Sequence, residues 1–520
     1  MDLTLVLWSF TLRLGQGLLE ASSTLLAGLI VAGVLRRMVG PRGTRKLFGR
    51  GPMGLLRGWL AGMLLPVCSL GVIPVAREMK RAGVPGGTVL SFLLAAPLLN
   101  PISFLYGLTL AEPFVICCFA VASLFLSTVA GAIWDRIFAR GDSLAEAEAA
   151  AKTADEPLPA EGPRRLLAVL ITAARQMMGT NLCYYLLGLI GSAMLAAVIP
   201  FGSLQRTMKH SDPISPLLMT AVAIPVYSSP LPGMVKIGLM FEHGNSIGAA
   251  FVLFGLGIGT NLGLLAWLTV MYRPVRTLAW LSVWIAMILG LAHLAEPALY
   301  DTRKVESDHT HAFDDYSSPF RGRHSDLPLL VRQKLAERFQ PLEQASVSTL
   351  AALVILGSLV RPRHREDAIE RWLTTRPPAS TTAVPWWNRT IPGPVLGAIV
   401  IAGLVVFSVI GAYVYYPPPE QVFAHLSQVR ANAVVAVRLG SRDEAIRDLE
   451  LMDLLTRKLQ VGVYIRTGGL PAEARKAADD LREAIEDLRD LLLAGKLDQG
   501  KERLKVIEDQ YQACRRAYCP

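Results

Sequence analysis

Charge is what this chain has least of. Asp, Glu, Lys and Arg make up 18% of its 520 residues, and hydrophobic residues make up 52%. Soluble domains carry about 25% charged residues. With a mean hydropathy of +0.39, the composition excludes an ordinary soluble domain and indicates an integral membrane protein. The charge that is present is basic, net +10, but it lies in clusters between apolar segments. No basic stripe interleaved with aromatics appears, so nucleic acid is not an expected partner, and the clusters read as topology signals. The six cysteines form no CxxC or CxxCH, which leaves no zinc ribbon and no covalent haem, and no cofactor is expected. There is no HExxH and no paired intramembrane Asp, so an enzyme is not indicated. Asp2 is the first charge, and the basic pair Arg36-Arg37 follows the first apolar run, unlike a signal peptide. The first helix is expected to be retained, with its N-terminus outside.

Long uninterrupted apolar runs are also fewer than the hydropathy suggests. Residues 66–101 read PVCSLGVIPVAREMKRAGVPGGTVLSFLLAAPLLNP. A simple crossing would run about 20 unbroken apolar residues. Here the run is broken at Pro66, Gly71 and Pro74, and again at Pro97, Asn100 and Pro101. Breaking a helix at membrane depth frees amides and carbonyls that must find partners. Transporters use such breaks as binding sites.

Full-length apolar segments are expected at 16–36, 113–134, 176–199, 276–295, 345–360 and 393–416, with interrupted ones at 54–111 and 214–272. The basic clusters at 36–50, 136–165, 273–276 and 361–371 can all be cytoplasmic under one arrangement. Residues 66–83 then form a re-entrant hairpin from inside, 86–111 a broken crossing, 214–243 a hairpin from outside and 246–272 a second broken crossing. The expected fold is therefore an all-α polytopic membrane protein of two inverted-topology repeats, 1–138 and 165–295. Pro66-Val67-Cys68-Ser69 matches Pro225-Val226-Tyr227-Ser228, Gly83 matches Gly244, Phe92 matches Phe251 and Asn100 matches Asn261. A cytoplasmic linker (139–164) joins the repeats. An extracytoplasmic loop (296–344) and two additional membrane helices (345–416) follow. After Pro417-Pro418-Pro419 come four amphipathic segments at 420–439, 442–466, 471–494 and 498–517 with period 3.6. They are expected to form an extracytoplasmic four-helix bundle.

Half-helices beginning near Gly71 and near Pro230–Pro232 would aim their N-termini, with free amides and partial positive charge, at the membrane interior. Cys68, Ser69, Asn100, Tyr227, Ser228 and Asn261 are the expected substrate contacts there. Pro66, Gly71, Pro74, Pro97, Pro101, Pro225 and Pro232 are expected to hold the breaks. The two asparagines read either as a polar site or as caps on freed backbone groups, and Cys68 either as a soft ligand or as core packing. Arg77, Lys80 and Arg81 are placed at the cytoplasmic mouth. Glu78, and Glu242 with His243, are the candidates for proton coupling.

The run CSLGVIPVAREMKRAGVPGGTVLSFLLAAPLLNP resembles a predicted-permease family that includes exporters of trivalent organoarsenicals. The family pattern falls on Cys68-Ser69, Gly71, Ile73-Pro74-Val75, Arg81-Ala82-Gly83, Phe92-Leu93, Ala96-Pro97 and Asn100-Pro101, and the resemblance covers about 16–295. Leu70 stands where a second cysteine is often found, and a pair of thiolates suits a soft metalloid better than one. The resemblance implies a permease.

The expected function is a permease in the cell (inner) membrane that exports a small thiophilic or anionic solute by alternating access. Its partners would be the lipid bilayer, the solute or metalloid itself, and an extracytoplasmic partner for the bundle, and both termini would lie outside. The alternative is a membrane-anchored sensor or metal-binding module. Its ligands would be His309, His311 and Asp314, with His324 nearby. In the bundle, His425 and Met452 would be haem ligands on that alternative, and Cys514 with Cys519 would form a disulfide if the last helical turn unwinds.

Overall fold

The computed structural model describes residues 3–519 apart from 102, 105, 106, 108–112, 155–163, 201, 202, 205, 206, 211, 243, 301–311, 321–325, 340, 362 and 375–391. The described residues are helical, with no strand beyond one isolated bridge. At apolar depth each backbone amide and carbonyl must be satisfied locally, and a helix does this within itself. The chain divides into two compact units, Met1–Val406 and Phe407–Pro520.

In the first unit five helices are long and apolar enough to cross a membrane: Leu3–Phe48, Phe114–Phe138, Asn181–Val198, Pro274–Leu299 and Pro341–Val360. A bent pair, Ile247–Ile258 and Leu262–Tyr272, meets at 58° and makes up to a sixth span. This is a multi-pass membrane protein. Helix α1 (Leu3–Val34) starts well before residue 16, where the apolar run was expected to begin, and continues through a π turn into α2 (Gly40–Phe48). The charge that interrupts the pattern is Arg13, and Asp315 answers it at 3.2 Å.

Two stretches of the unit share one order of elements. In the first, α3 (Gly51–Leu64) stops at a break, α4 (Val72–Arg81) leaves it, a turn follows at Gly83, and α5 (Gly86–Leu98) stops at a second break before Asn100. Helix α6 (Pro113–Ala154) comes next, then α7 (Arg164–Met178) and α8 (Asn181–Val198). In the second stretch α9 (Ser215–Ala223) stops at a break and α10 (Pro230–Glu242) leaves it. A turn follows at Gly244, α11 (Ile247–Val252) runs on as a π turn to Ile258, and α12 (Leu262–Tyr272) starts after Asn261. Helix α13 (Pro274–Leu299) follows. The hairpin legs therefore lie at 51–64 and 72–81 in the first stretch. The sequence reading gave 66–83, because Pro66 closes the inbound leg and does not open it.

Both turns are built alike. Gly83 and Gly244 take positive φ, 77° and 63°, which a side chain rarely tolerates. Each ends its helix with a bond from the residue after the glycine to the carbonyl five back: Val84 N to Met79 O at 3.1 Å, and Asn245 N to Met240 O at 2.9 Å. This is the Schellman closure of a helix end. The two stretches also interlock. Phe119 on α6 meets Phe241, Phe251 and Phe254 edge-on at 5.9, 5.1 and 5.0 Å. Phe92 meets Phe48 at 6.0 Å, so Phe92 and Phe251 have unlike surroundings.

The second unit holds four consecutive helices, Pro419–Leu439, Arg442–Thr467, Ala472–Leu493 and Leu497–Tyr518. Period 3.6 puts Leu481, Ile485, Leu488 and Leu492 on one face, and all four are buried in a shared apolar core with Leu449, Met452 and Tyr511. Asp453 is half-buried and accepts from Arg457 Nε at 2.8 Å and Arg482 Nε at 2.9 Å. Burial alone would raise its carboxyl, but these two guanidiniums hold it well below the ordinary value. His425 is exposed while Met452 is in the core, so the two do not share a ligand site. Cys514 and Cys519 are free thiols, and the helix stays wound through Tyr518.

Candidate transport site

The first break, 65–71, puts Cys68 and Ser69 in full burial. Cys68 Sγ accepts from Gly71 N at 3.4 Å, so the thiol answers one free amide at the start of α4. The second break, 224–229, buries Tyr227, Ser228 and Ser229. Here the free amide of Ser229 at the start of α10 goes to Glu20 Oε1 at 2.6 Å, and Ser228 Oγ lies 3.4 Å from the same oxygen. Each outgoing half-helix therefore has its N-terminal amide met by one side chain, a thiol in the first case and a carboxylate in the second.

Asn261, in the further break at 259–261, reaches the first. Its Oδ1 accepts from Leu264 N at 3.0 Å, capping α12, and its Nδ2 donates to Ser69 Oγ at 2.8 Å across 192 residues of sequence. Asn100 caps its own break: Oδ1 accepts from Ser103 N at 2.8 Å, and Ser103 Oγ accepts from Asn100 N at 2.9 Å. Its hydrogen bonds are thus local. Of the expected contacts, Cys68, Ser69, Tyr227, Ser228 and Asn261 come together, and Asn100 belongs to a separate break. Pro66 and Pro225 lie within breaks, Pro97 is the next-to-last residue of α5, and Pro101 opens the helical turn after Asn100. Pro74 and Pro232 each stand third in an outgoing helix, in the first turn, where a missing N–H costs nothing. Leu70, where the family often has cysteine, packs on Gly188 beside Asn261.

One face of α1 runs through both breaks, and sequence reasoning missed it. Glu20, Thr24 and Gly28 are spaced four apart on that face. A Cβ on Gly28 would lie 2.1 Å from Gly71 O, and one on Gly71 would lie 2.6 Å from Thr24 O, so helix and break touch through bare backbone. Tyr227 is buried with Cys68, Glu20 and Thr24 as neighbours. The available signal was Glu20 itself, a lone carboxylate inside an apolar run.

Two charged clusters flank the breaks. At the mouth of the first hairpin, buried Glu78 accepts from Gln176 Nε2 at 2.6 Å and pairs with Arg36 at 3.8 Å and Arg81 at 3.5 Å. Arg77 donates to Asn181 Oδ1 at 3.2 Å and Lys80 to Met271 O at 2.6 Å. Close by, Glu370 takes Arg37, with Nη2 at 3.0 Å, and Arg175 at 3.1 Å. Burial alone would raise Glu370, but these two guanidiniums hold it at about 2. At the second hairpin Lys236 is buried. It lies 3.4 Å from Ser228 Oγ and 3.2 Å from Asp315 Oδ2. Asp315 Oδ1 also pairs with Arg13 at 3.2 Å and Arg338 at 2.8 Å. Burial would raise the Asp315 carboxyl, but Arg338, Lys236 and Arg13 hold it well below the usual range. Lys236 was not singled out by the sequence.

The run Gly244-Asn245-Ser246-Ile247-Gly248 spells GxSxG, but it forms no nucleophile turn. Ser246 Oγ accepts from Ala249 N at 3.0 Å as a helix cap and donates to Glu296 Oε2 at 2.8 Å. Glu296 in turn holds His210 and Gly248 N. The metal candidates His309 and His311, with His324 and His243, lie outside the described residues, as does the side chain of Glu242. Asp314 accepts Arg13 through its backbone carbonyl, and no cluster of three metal-ligating side chains occurs among the described residues.

The Bacillus subtilis (strain 168) UPF0718 protein YcgR is 35% identical over 86 residues, 16% of this chain and 29% of that protein. A putative two-component membrane permease complex subunit of Streptococcus mutans serotype c is 30% identical over 86 residues, again 16% of this chain and 29% of that one. The chain thus spans less than a third of the curated relatives it matches. No solved structure matches. The family model described as "Predicted permease" matches residues 11–295, which hold both pairs of breaks, and the chain belongs to that family of membrane permeases.

Proposed function

We propose that this permease is a secondary transporter built from two inverted repeats, and that its solute crosses where the first and second breaks meet α1. The observation that carries the reading is the junction itself: Asn261 on Ser69, Tyr227 beside Cys68, and Glu20 on the amide of Ser229. Lone polar groups are costly at membrane depth and mark solute paths.

A constant spacing supports the repeat. Gly83 and Gly244, Gly87 and Gly248, Asn100 and Asn261, and Asp135 and Glu296 are each 161 residues apart (244 less 83, and so on). Asp135 Oδ1 accepts from Gly87 N at 2.7 Å, and Glu296 accepts from Gly248 N in the same way. Gly87 packs on Gly131, and Gly248 on Ala292, again 161 apart. Before the outgoing helices the spacing is 159, as between Pro66 and Pro225, and the longer α10 absorbs the difference. Inversion is supported by Lys80. It sits at the mouth of the first hairpin yet bonds Met271 at the far end of the second broken helix. An upright duplication puts those ends on opposite faces of the membrane.

On this reading the repeats rock about the junction. Cys68 contacts a small thiophilic or anionic solute, and Glu20 takes the coupling role, because Glu78 is engaged by Arg36, Arg81 and Gln176. The cluster around Glu78 and Glu370 is cytoplasmic. Both termini and the four C-terminal helices, as a bundle, lie outside an inner membrane, and export is the direction. The test is transport in proteoliposomes across a panel of soft metalloids and small anions, comparing wild type with Cys68→Ser and Glu20→Gln. At least one solute should move, and each variant should slow it about tenfold or more while remaining folded. Variants that transport at the wild-type rate sink the reading.

A further inference from the structure

Residues 312–320 come from the connection between α13 and α14 (Leu327–Glu337). Connections normally run over the surface. This one is buried through Ala312, Phe313, Tyr316, Ser317 and Phe320. It is seated on the membrane helices by polar contacts: Ser318 N to Ile199 O at 2.9 Å, Ser318 Oγ to Ser9 Oγ at 3.0 Å, and Arg13 Nη2 to Ser317 O at 2.8 Å.

Its centre is the Asp315 carboxylate. Both oxygens are used, Oδ1 by Arg13 and Arg338 and Oδ2 by Lys236. Three cations converging on one carboxylate from three separate elements, α1, α10 and the end of α14, resemble a receptor for an oxyanion more than a single ion pair. Lys236 then leads through Ser228 to Glu20 at the second break. The carboxylate therefore stands at the head of a continuous polar line into the junction.

We propose that Arg13, Lys236 and Arg338 form a binding site for a small oxyanion or carboxylate, and that Asp315 is its tethered occupant. Segment 312–320 is then a self-seated plug, and an anion of this class enters by displacing Asp315. The inference deepens the permease reading and rests on it for the meaning of the plug. Its test measures binding and not transport, so the two fail separately.

The probe is inorganic sulfate, with chloride at equal ionic strength as control, titrated calorimetrically into the purified full chain. Asp315→Asn keeps the shape and removes the charge, and should bind sulfate at least about tenfold more tightly than wild type. Adding Lys236→Met should abolish that gain. Should Asp315→Asn not fold, a second measurement keeps Asp315 in place. Ser317, 2% exposed, is changed to cysteine and its modification by an impermeant maleimide is followed by mass spectrometry. Sulfate should speed modification about tenfold over chloride by unseating the plug. Asp315→Asn binding no more tightly than wild type, an undiminished gain in the double variant, or equal labelling rates in the two salts each overturn the proposal.

Discussion

Replacing Asn261 with alanine removes two interactions at once, and their sizes can be separated. The cap on Leu264 N is worth about 1 kcal/mol, as N-caps generally are. The bond from Nδ2 to Ser69 Oγ, 2.8 Å and fully buried, is worth about 0.6 kcal/mol on the average of membrane double-mutant cycles, with an upper end near 1.7. Asn261→Ala should therefore cost about 2 kcal/mol and Ser69→Ala about 1 kcal/mol. The double variant should cost less than their sum by about 0.6–1.5 kcal/mol, because both remove the same bond. Asn100 instead exchanges hydrogen bonds with its own neighbour Ser103, so Asn100→Ala combined with Ser69→Ala should be additive within about 0.3–0.5 kcal/mol. Reversible unfolding in mixed detergent micelles reads all five variants, the three single and the two double. An additive Asn261–Ser69 pair would mean that the break at Asn261 does not touch the first one, and the junction would have to be abandoned.

Other outcomes follow from the same contacts. Asp453→Ala leaves Arg457 and Arg482 as buried cations without their carboxylate and should destabilise the C-terminal helices by about 3–5 kcal/mol, read by circular dichroism on the full chain; a loss under about 1 kcal/mol would show the pair to be hydrated. Glu370 is held at about 2 by Arg37 and Arg175. A depressed carboxyl adds stability above its unfolded value and loses it only as pH falls through the folded one. Amide exchange in residues 363–374, corrected for intrinsic rate, should therefore be unchanged from pH 7 to pH 4.5 and rise towards pH 2; a rise already at pH 6 would contradict the pairing. Burial pushes the Cys514 thiol up to about 12, so it should resist maleimide at pH 8 until the chain is unfolded, and rapid labelling of the native protein would refute its place in the core.

The breaks were legible because their cause is local. Proline removes an amide and asparagine supplies a cap, and both act within a few residues of where they stand. For the same reason the helices of the second unit begin and end within one residue of the bounds that periodicity gave. What the sequence did not disclose depends on partners far along the chain. Glu20 looked like one stray charge in an apolar run until Ser229 was found beside it, 209 residues on. The first apolar run was expected to begin only at 16, after Arg13, yet Asp315, 302 residues away, answers that charge and the helix extends back across it. Glu78 looked free to exchange protons because Arg36 and Gln176 lie in other helices. Asp315 itself lay in a polar stretch whose histidines drew attention to metal. Asparagine had two readings that composition could not separate. Here the structure gives capping bonds to both residues and a second, cross-break bond to Asn261.

The most direct test of the junction is the reach of water-borne reagents to Cys68. Its side chain is fully buried in this conformation, so an impermeant methanethiosulfonate can modify it only when a repeat opens. In a variant whose only cysteine is Cys68, reconstituted in sealed vesicles, modification should proceed slowly from either side of the membrane, and Glu20→Gln should change the ratio of the two rates. If only lipid-soluble reagents reach Cys68, the breaks do not face an aqueous path and the account fails.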